Sequence, residues 1–137
     1  MQVSTFSGFF ANLEKIIDFV LIEARKLGFS SKEEYQISLA VDEACSNVIE
    51  HAYGGESNQP IQVSVDTNNN KLSIIIEDHG ASFNPDEVLS PDVCSPLEER
   101  VERGLGIFTM CKVMDEVKYE FPEPGLNRLI MVKNKRA

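Results

Sequence analysis

The stretch AVDEACSNVIEHAYGG, residues 40–55, places a carboxylate and a carboxamide one helical turn apart among alanines and valines. Glu43 and Asn47 are four residues apart, so on a helix they lie on the same face and can point into one cleft. A carboxylate in a cleft can accept a proton from an attacking hydroxyl, and an amide oxygen is a hard, neutral ligand suited to Mg²⁺. The pair alone is more typical of a solvated helix face than of a site, so a site requires support from other segments.

Two amphipathic helices are predicted in the first part of the chain. Apolar residues at helical spacing predict a helix over about residues 7–27. A second helix is predicted to begin after Ser31, where Ser31 and Glu34 form a capping-box pattern, and to end at the glycine pair 54–55. The opening stretch therefore lies in the second helix.

The remaining elements are predicted from a change of period. Apolar residues alternate with polar ones over residues 61–65 and 72–76, around an asparagine-rich turn, which predicts an antiparallel hairpin. A third helix is predicted to start at Arg103 and to run to about Met114. The segments EVKYEF and RLIMVK, joined by a Pro-Gly turn, predict a second hairpin.

A long acidic segment separates the first hairpin from the third helix. Residues 81–103, approximately, are rich in Pro, Ser, Asp and Glu and lack a sustained period, which is typical of a functional lid or a mobile loop. The element order predicts an α+β fold, a two-layer α/β sandwich in which one mixed or antiparallel sheet has helices on a single face. A length of 137 residues fits one domain, so residues 1–137 are predicted to form a single domain.

Composition and charge restrict the possible partners. The formal net charge of −9 opposes binding to phosphate backbones, so no direct nucleic-acid partner is expected. We find no secretory signal pattern, and no apolar run approaches the ~20 residues that cross a bilayer, so we expect a cytoplasmic protein without a membrane partner. The cysteines at positions 45, 94 and 111 lack CxxC spacing and predict neither a disulfide framework nor a zinc site.

Two further motifs accompany the Glu43–Asn47 pair. Asp78 follows an apolar strand and precedes Gly80, so its carboxylate can accept a hydrogen bond from an exocyclic amine while the glycine leaves room for a flat base. The run Arg103-Gly104-Leu105-Gly106 opens a helix, where free backbone N–H groups and the positive end of the helix dipole favour phosphate oxygens. Each motif alone is weak, because the first also fits a plain turn and the second is neither a P-loop nor a dinucleotide fingerprint.

The three motifs in this order resemble the N, G1 and G2 boxes of the GHKL, or histidine-kinase-like, ATPase superfamily, which has the Bergerat ATP-binding fold. E-x-x-x-N lies on a helix, D-x-G-x-x-F at a strand end, and G-x-G at a helix start. The phrases LAVDEACSNVIEHAY, DHGASFNP and RGLGIFTMCKVMDEV are similar to the anti-sigma-factor serine/threonine kinases of the RsbW and SpoIIAB type. The resemblance covers essentially the whole chain.

The resemblance implies a magnesium-bound ATP and a role for each motif residue. Glu43 would be the catalytic base that activates a serine hydroxyl of a partner protein, and Asn47 would hold Mg²⁺. Asp78 would bind the adenine amino group, and His51 is a candidate for the edge of the site or, equally, a packed histidine at a helix end. The other implied nucleotide-binding residues are Gly80 and Phe83 at the base, and Arg103, Gly104, Leu105 and Gly106 at the phosphates.

The chain departs from the family pattern at two places. Glu102 stands before Arg103 where many relatives have a glycine, which could alter lid hinging or repel phosphate. Asn127 and Arg128 stand where many relatives have a small residue and a threonine near the phosphates, so that hydroxyl contact is not carried over. A phosphoacceptor histidine helix is also missing, which favours a protein partner in trans over autophosphorylation.

Three functions are therefore compatible with the sequence. The first is a protein-serine kinase that phosphorylates an anti-anti-sigma partner of the STAS type and sequesters a sigma factor. The second is a nucleotide-gated binding module without phosphotransfer, and the third is an interaction domain that no longer binds nucleotide. A homodimer is a further possibility, because Phe6, Phe9 and Phe10 could form an apolar patch; plain core packing of these rings is at least as compatible.

Overall fold

The computed structural model describes residues 1–81 and 104–136, and only the backbone of residues 104–108. The predicted lid at residues 81–103 therefore lies, apart from Ala81, outside the described residues, as do Phe83, Glu102 and Arg103. The elements described are strands β1 (Gln2–Ser7), β2 (Pro60–Asn68), β3 (Lys71–Asp78), β4 (Glu116–Glu123) and β5 (Leu126–Asn134), and helices α1 (Leu13–Lys26), α2 (Ser31–Asn47) and α3 (Gly104–Val113). A short 3₁₀ turn at Phe10–Asn12 precedes α1, and a π-helical turn at Val48–Ala52 continues α2.

The five strands form one sheet in the order β1-β2-β3-β5-β4, and every neighbouring pair is antiparallel. Successive strand residues face opposite sides, and the alternate residues Ile61, Val63 and Val65 of β2 are all buried. They belong to the same apolar cluster as Ile16 of α1 and Ile37 of α2. The predicted α+β class and the antiparallel sheet with helices packed on one face are therefore confirmed.

The first predicted helix, over about residues 7–27, is wrong at its N-terminal end, because α1 begins only at Leu13, after the 3₁₀ turn. The preceding residues 2–7 form the edge strand β1, which the sequence analysis did not predict. This strand pairs with β2, with Phe6 opposite Ile61. The segment has weak apolar alternation of its own, so its conformation depends on the backbone hydrogen bonds that β2 offers rather than on local propensity. The Phe6 ring packs edge-on against Phe19 of α1, at a centroid distance of 6.0 Å, which favours core packing for this member of the predicted aromatic patch. Phe10 remains 41% exposed.

The capping box of α2 lies one residue earlier than predicted. The Glu33 backbone N–H donates to Ser30 Oγ at 3.2 Å, and the Ser30 backbone N–H donates to Glu33 Oε1 at 2.8 Å. Serines and glutamates each occur as consecutive pairs here, so the sequence pattern fits two registers equally well. Glu34, the other candidate acid, instead pairs with Arg25 of α1, with its Oε1 3.2 Å from Arg25 Nε.

The cysteines behave differently from one another. Cys45 is a free thiol that is fully buried, and burial raises its pKa to about 12. Cys111 is disulfide-bonded, so the prediction that the cysteines form no disulfide is wrong. Bond formation requires two Cα atoms within about 7 Å, a condition that spacing along the chain does not reveal. Within the part of the chain that is described, no helix is both long and apolar enough to span a membrane.

Candidate functional site

A cavity lies between the end of α2, the end of β3 and the first part of β5. It brings together the predicted residues Asn47 and Asp78, which are 31 positions apart in the sequence. Apolar side chains supply most of the remaining wall, and the lining residues are Ala44, Asn47, Val48, Ala52, Ile76, Asp78, Ala81, Tyr119, Asn127 and Leu129. Such an apolar pocket with a few convergent polar groups is typical of a small-molecule site.

The α2 side of the cavity owes its shape to short side chains. Ala44, Val48 and Ala52 recur every fourth residue, so their small groups leave space along one helix edge. Asn47, half-buried on the last turn of α2, lines the cavity beside this edge. The π-helical turn begins immediately after Asn47, and π turns inside helices occur frequently at functional sites.

Asp78 is a buried carboxylate, 5% exposed, at the last position of β3. Its Oδ1 accepts hydrogen bonds from the Gly80 backbone N–H at 2.9 Å and from Asn127 Nδ2 at 2.8 Å. Its Oδ2 accepts no hydrogen bond from any residue that the structure describes. Burial raises the pKa of the Asp78 carboxyl, and the hydrogen bonds from Asn127 and Gly80 and the nearby His79 oppose that rise. A donor from a ligand would therefore meet an acceptor that residues 1–81 and 104–136 leave unsatisfied.

Gly80 is required by close packing against the π-helical turn. A methyl group on its Cα would clash with the carbonyl oxygen of Ala52 and lie 2.8 Å from the Ala52 Cβ. The next residue, Ala81, donates its backbone N–H to the same Ala52 oxygen at 2.8 Å. The sequence-based reason for this glycine, approach of a flat base, is therefore accompanied by a packing reason that the motif did not reveal.

Substitution of Gly80 by Ala is expected to destabilise the fold by about 2–4 kcal/mol, because the backbone must shift and the Ala81–Ala52 hydrogen bond is then lost. Chemical denaturation of the native and variant proteins measures this free energy. Gly125→Asn is the matched control, since Gly125 has a positive φ of 84° that asparagine tolerates and open space around it. A Gly80→Ala protein as stable as the control would contradict the packing argument.

Asn127 is a cavity residue that the sequence analysis named only as a departure from the family pattern, without a role. The pairing of β3 with β5 sets it directly opposite Asp78. Its side-chain amide is buried and donates to the Asp78 carboxylate. The signal that could have found it is the register between two strands that are not adjacent in sequence, and this register is not encoded by any local pattern.

Glu43 and His51 lie outside the cavity lining. Glu43 is half-buried on α2, one turn before Asn47. His51 is exposed, with Nε2 4.0 Å from Glu50 Oε2, which favours a solvated helix-end histidine. Gly104, Leu105 and Gly106 begin α3, as predicted, and α3 packs against α2. The first backbone N–H groups of a helix have no partner within the helix, so the start of α3 is suited to an anion.

The described residues around the cavity form no all-protein metal cage. Among residues 1–81 and 104–136, no three His, Cys, Asp or Glu side chains are grouped so that they could hold a metal ion. Mg²⁺ commonly keeps several waters and is bound by one or two protein oxygens together with substrate phosphates. The amide oxygen of Asn47 can be one such protein ligand, in a site that also needs substrate phosphates to bind Mg²⁺.

Curated relatives of this chain are bacterial kinases. Serine-protein kinase RsbW of Bacillus velezensis is 33% identical over 101 residues, which cover 71% of this chain and 63% of that protein. Serine-protein kinase RsbW of Halalkalibacterium halodurans is 35% identical over 99 residues, covering 69% of this chain and 60% of that protein. The matched part thus spans about three-fifths of the length of these relatives.

Solved structures with the same fold share little sequence with this chain. A structure titled as the SiaB–SiaC complex from Pseudomonas aeruginosa superposes with a TM-score of 0.70 at 12% identity, covering 96% of this chain and 88% of that one. The catalytic domain of the histidine kinase ThkA, in a nucleotide-free form, has a TM-score of 0.58 at 16% identity and covers 98% of this chain and 97% of that one. The model of the histidine kinase-like ATPase domain matches residues 9–133. Together with the sheet, the helices and the Asn47–Asp78 cavity, this match shows that the chain belongs to the histidine kinase-like ATPase domain family.

Proposed function

We propose that this chain binds magnesium-bound ATP in the Asn47–Asp78 cavity and transfers the γ-phosphoryl group to a serine of a partner protein. The observation that carries the proposal is the buried Asp78 carboxylate in the wall of a mostly apolar cavity. Its Oδ2 accepts no hydrogen bond from the described residues. An ionised group in this setting costs folding free energy unless a ligand supplies the missing hydrogen bond. The exocyclic amine of adenine is such a donor.

The phosphate end of the nucleotide would lie towards α2 and the start of α3. Backbone N–H groups of Gly104 to Gly106 would bind phosphate oxygens, and the Asn47 amide oxygen would hold Mg²⁺. The bound ion would neutralise charge on the phosphates. Glu43 would accept the proton of the serine hydroxyl. The serine oxygen would bond to the γ-phosphorus as the bond between that phosphorus and the ADP oxygen breaks.

The proposed partners are a STAS-type anti-anti-sigma protein, as the phosphorylated substrate, and a sigma factor that the chain sequesters. Support comes from the curated relatives, which are named serine-protein kinases, and from the SiaB–SiaC structure, in which a protein of this fold is present in a complex. Release of the sigma factor would follow when the unphosphorylated STAS partner competes for the kinase.

The binding step is tested by calorimetric titration of native protein with ADP and ATP, with and without Mg²⁺. Asn47→Ala is expected to weaken Mg·ATP binding by about tenfold, the effect of one lost charge-assisted contact, and to leave magnesium-free ADP binding within about twofold. Ser46→Ala, at the neighbouring position of α2, is the control and should behave as native. Undetectable binding of every nucleotide by native protein would overturn the proposed function.

A nucleotide-gated binding module without phosphotransfer is the alternative, and one observation favours it. Asn47 and Asp78 line the cavity, whereas Glu43 does not, so the described residues support nucleotide binding more directly than they support a catalytic base. The two functions differ in the expected effect of replacing Glu43, since a binding module needs no base at that position.

A further inference from the structure

The Asn127 side chain connects β5 to the segment that follows β3. Its Nδ2 lies 2.8 Å from Asp78 Oδ1, 3.3 Å from the Gly80 carbonyl oxygen and 3.4 Å from the Ala81 carbonyl oxygen. A carboxamide nitrogen has two hydrogens, so it can donate to the Asp78 carboxylate and to a carbonyl oxygen at the same time. Asn127 is 6% exposed, which makes these contacts internal to the protein.

The geometry leaves the two oxygens of Asp78 in different states. Oδ1 accepts from both Asn127 and the Gly80 backbone, so rotation of the carboxylate would break two hydrogen bonds. Oδ2 accepts none from the residues that the structure describes, and Asp78 and Asn127 line the cavity together. The same pair of contacts therefore holds one oxygen and keeps the other available.

We infer that Asn127 is a positioning residue: its hydrogen bond holds Asp78 Oδ1, so that Oδ2 is kept for the 6-amino group of the bound base. This inference rests on the proposed nucleotide binding and assigns the orientation of the Asp78 carboxylate to Asn127. Asn127 touches Asp78 and acts through it, since the hydrogen bond to the base is made by the carboxylate.

Chemistry explains why the reserved oxygen would discriminate between bases. The 6-amino group of adenine is a donor, whereas the 6-oxo group of hypoxanthine or guanine is an acceptor and would face a second acceptor. Purine riboside has only hydrogen at that position, so it neither gains the hydrogen bond nor brings two oxygens together. A site built for a donor rejects an analogue that lacks one, because its buried polar group stays unpaired.

A thermodynamic cycle of two ligands and two proteins measures the coupling between Asn127 and the 6-amino group of the base. Calorimetry measures ADP and purine riboside 5′-diphosphate binding to native protein and to Asn127→Leu, which keeps a side chain of similar size without the donor. Native protein should prefer ADP by roughly tenfold or more, the effect of one hydrogen bond to a charged group. The variant should lose about tenfold in ADP affinity and bind purine riboside 5′-diphosphate within about twofold of native, so the preference nearly disappears.

A merely structural role predicts a different pattern. Equal losses for both ligands in Asn127→Leu would overturn the inference, because general damage to the cavity does not depend on the amino group. Asn127→Ala, which removes the donor without burying a new branched side chain, serves the same cycle if the leucine variant does not fold. Arg128→Gln is the control on the same strand, since Arg128 pairs with Glu77 and Glu120 rather than with Asp78, and it should keep the native preference.

The inference and the proposed function fail in different ways. Native protein that binds neither nucleotide refutes nucleotide binding itself. Native protein that binds both nucleotides equally well refutes the amine selectivity and leaves nucleotide binding intact.

Discussion

Replacement of Glu43 by Gln is expected to lower the rate of phosphoryl transfer by about 10²–10⁴-fold, the usual contribution of a positioned general base. Glutamine keeps the size of the side chain but cannot accept the serine proton. ADP binding should stay within about twofold of native, because Glu43 lies outside the lining of the described cavity. Transfer of labelled γ-phosphate from ATP to a STAS-type protein that the native chain binds measures the rate.

The control for this experiment is Asp42→Asn, a carboxylate-to-amide change at the adjacent position of α2. Asp42 faces a different side of the helix from Glu43, so the control should keep the native rate. A Glu43→Gln protein that phosphorylates at the native rate would show that another group is the base. Native protein that exchanges partners without any serine phosphorylation would instead support the nucleotide-gated binding module.

Replacement of Asp78 by Asn is expected to weaken ADP binding by about 10- to 100-fold, because the reserved acceptor for the adenine amine loses its charge. The free energy of unfolding should be equal to or higher than that of native protein at pH 7, since an ionised carboxylate is no longer buried. Calorimetry and chemical denaturation measure the two effects. A variant that binds ADP as tightly as native protein would remove Asp78 from the site.

The pH dependence of stability follows from the same carboxylate. Burial raises the folded-state pKa of Asp78 above its unfolded value, so the folded protein binds the proton more tightly than the unfolded chain. This contribution to stability is present below the unfolded pKa, about 3.9, and is lost as pH rises through the folded pKa. The advantage of Asp78→Asn over native protein should therefore be larger at pH 7 than at pH 4 when the free energies of unfolding are compared. An advantage that does not change with pH would contradict the assigned cause.

The main elements could be predicted because their signals are local. The helix that contains Glu43 and Asn47 follows from apolar residues at helical spacing, and the β2–β3 hairpin from alternation around a turn. The three ordered motifs also resemble the family to which the chain belongs. The roles of Phe83 and Arg103, and of the lid, stay predictions, because these residues lie outside the described part of the chain.

Other features depend on contacts between distant segments. β1 forms because β2 presents an edge to it, and Glu33 rather than Glu34 caps α2 while Glu34 pairs with Arg25 of α1. Two serines followed by two glutamates satisfy the local pattern in either register, so propensity alone cannot choose.

By itself, the sequence of this protein determined the α+β class and predicted two residues for a nucleotide site: the Asn47 amide on a helix and the Asp78 carboxylate at a strand end. Only the tertiary structure decided that Asn127 donates to Asp78, that Gly80 fits beneath Ala52, and that Glu43 and His51 lie outside the cavity lining. Periodicity and turn chemistry act over a few residues, whereas the register of β3 against β5 and the approach of the π-helical turn are set by the packing of the whole core.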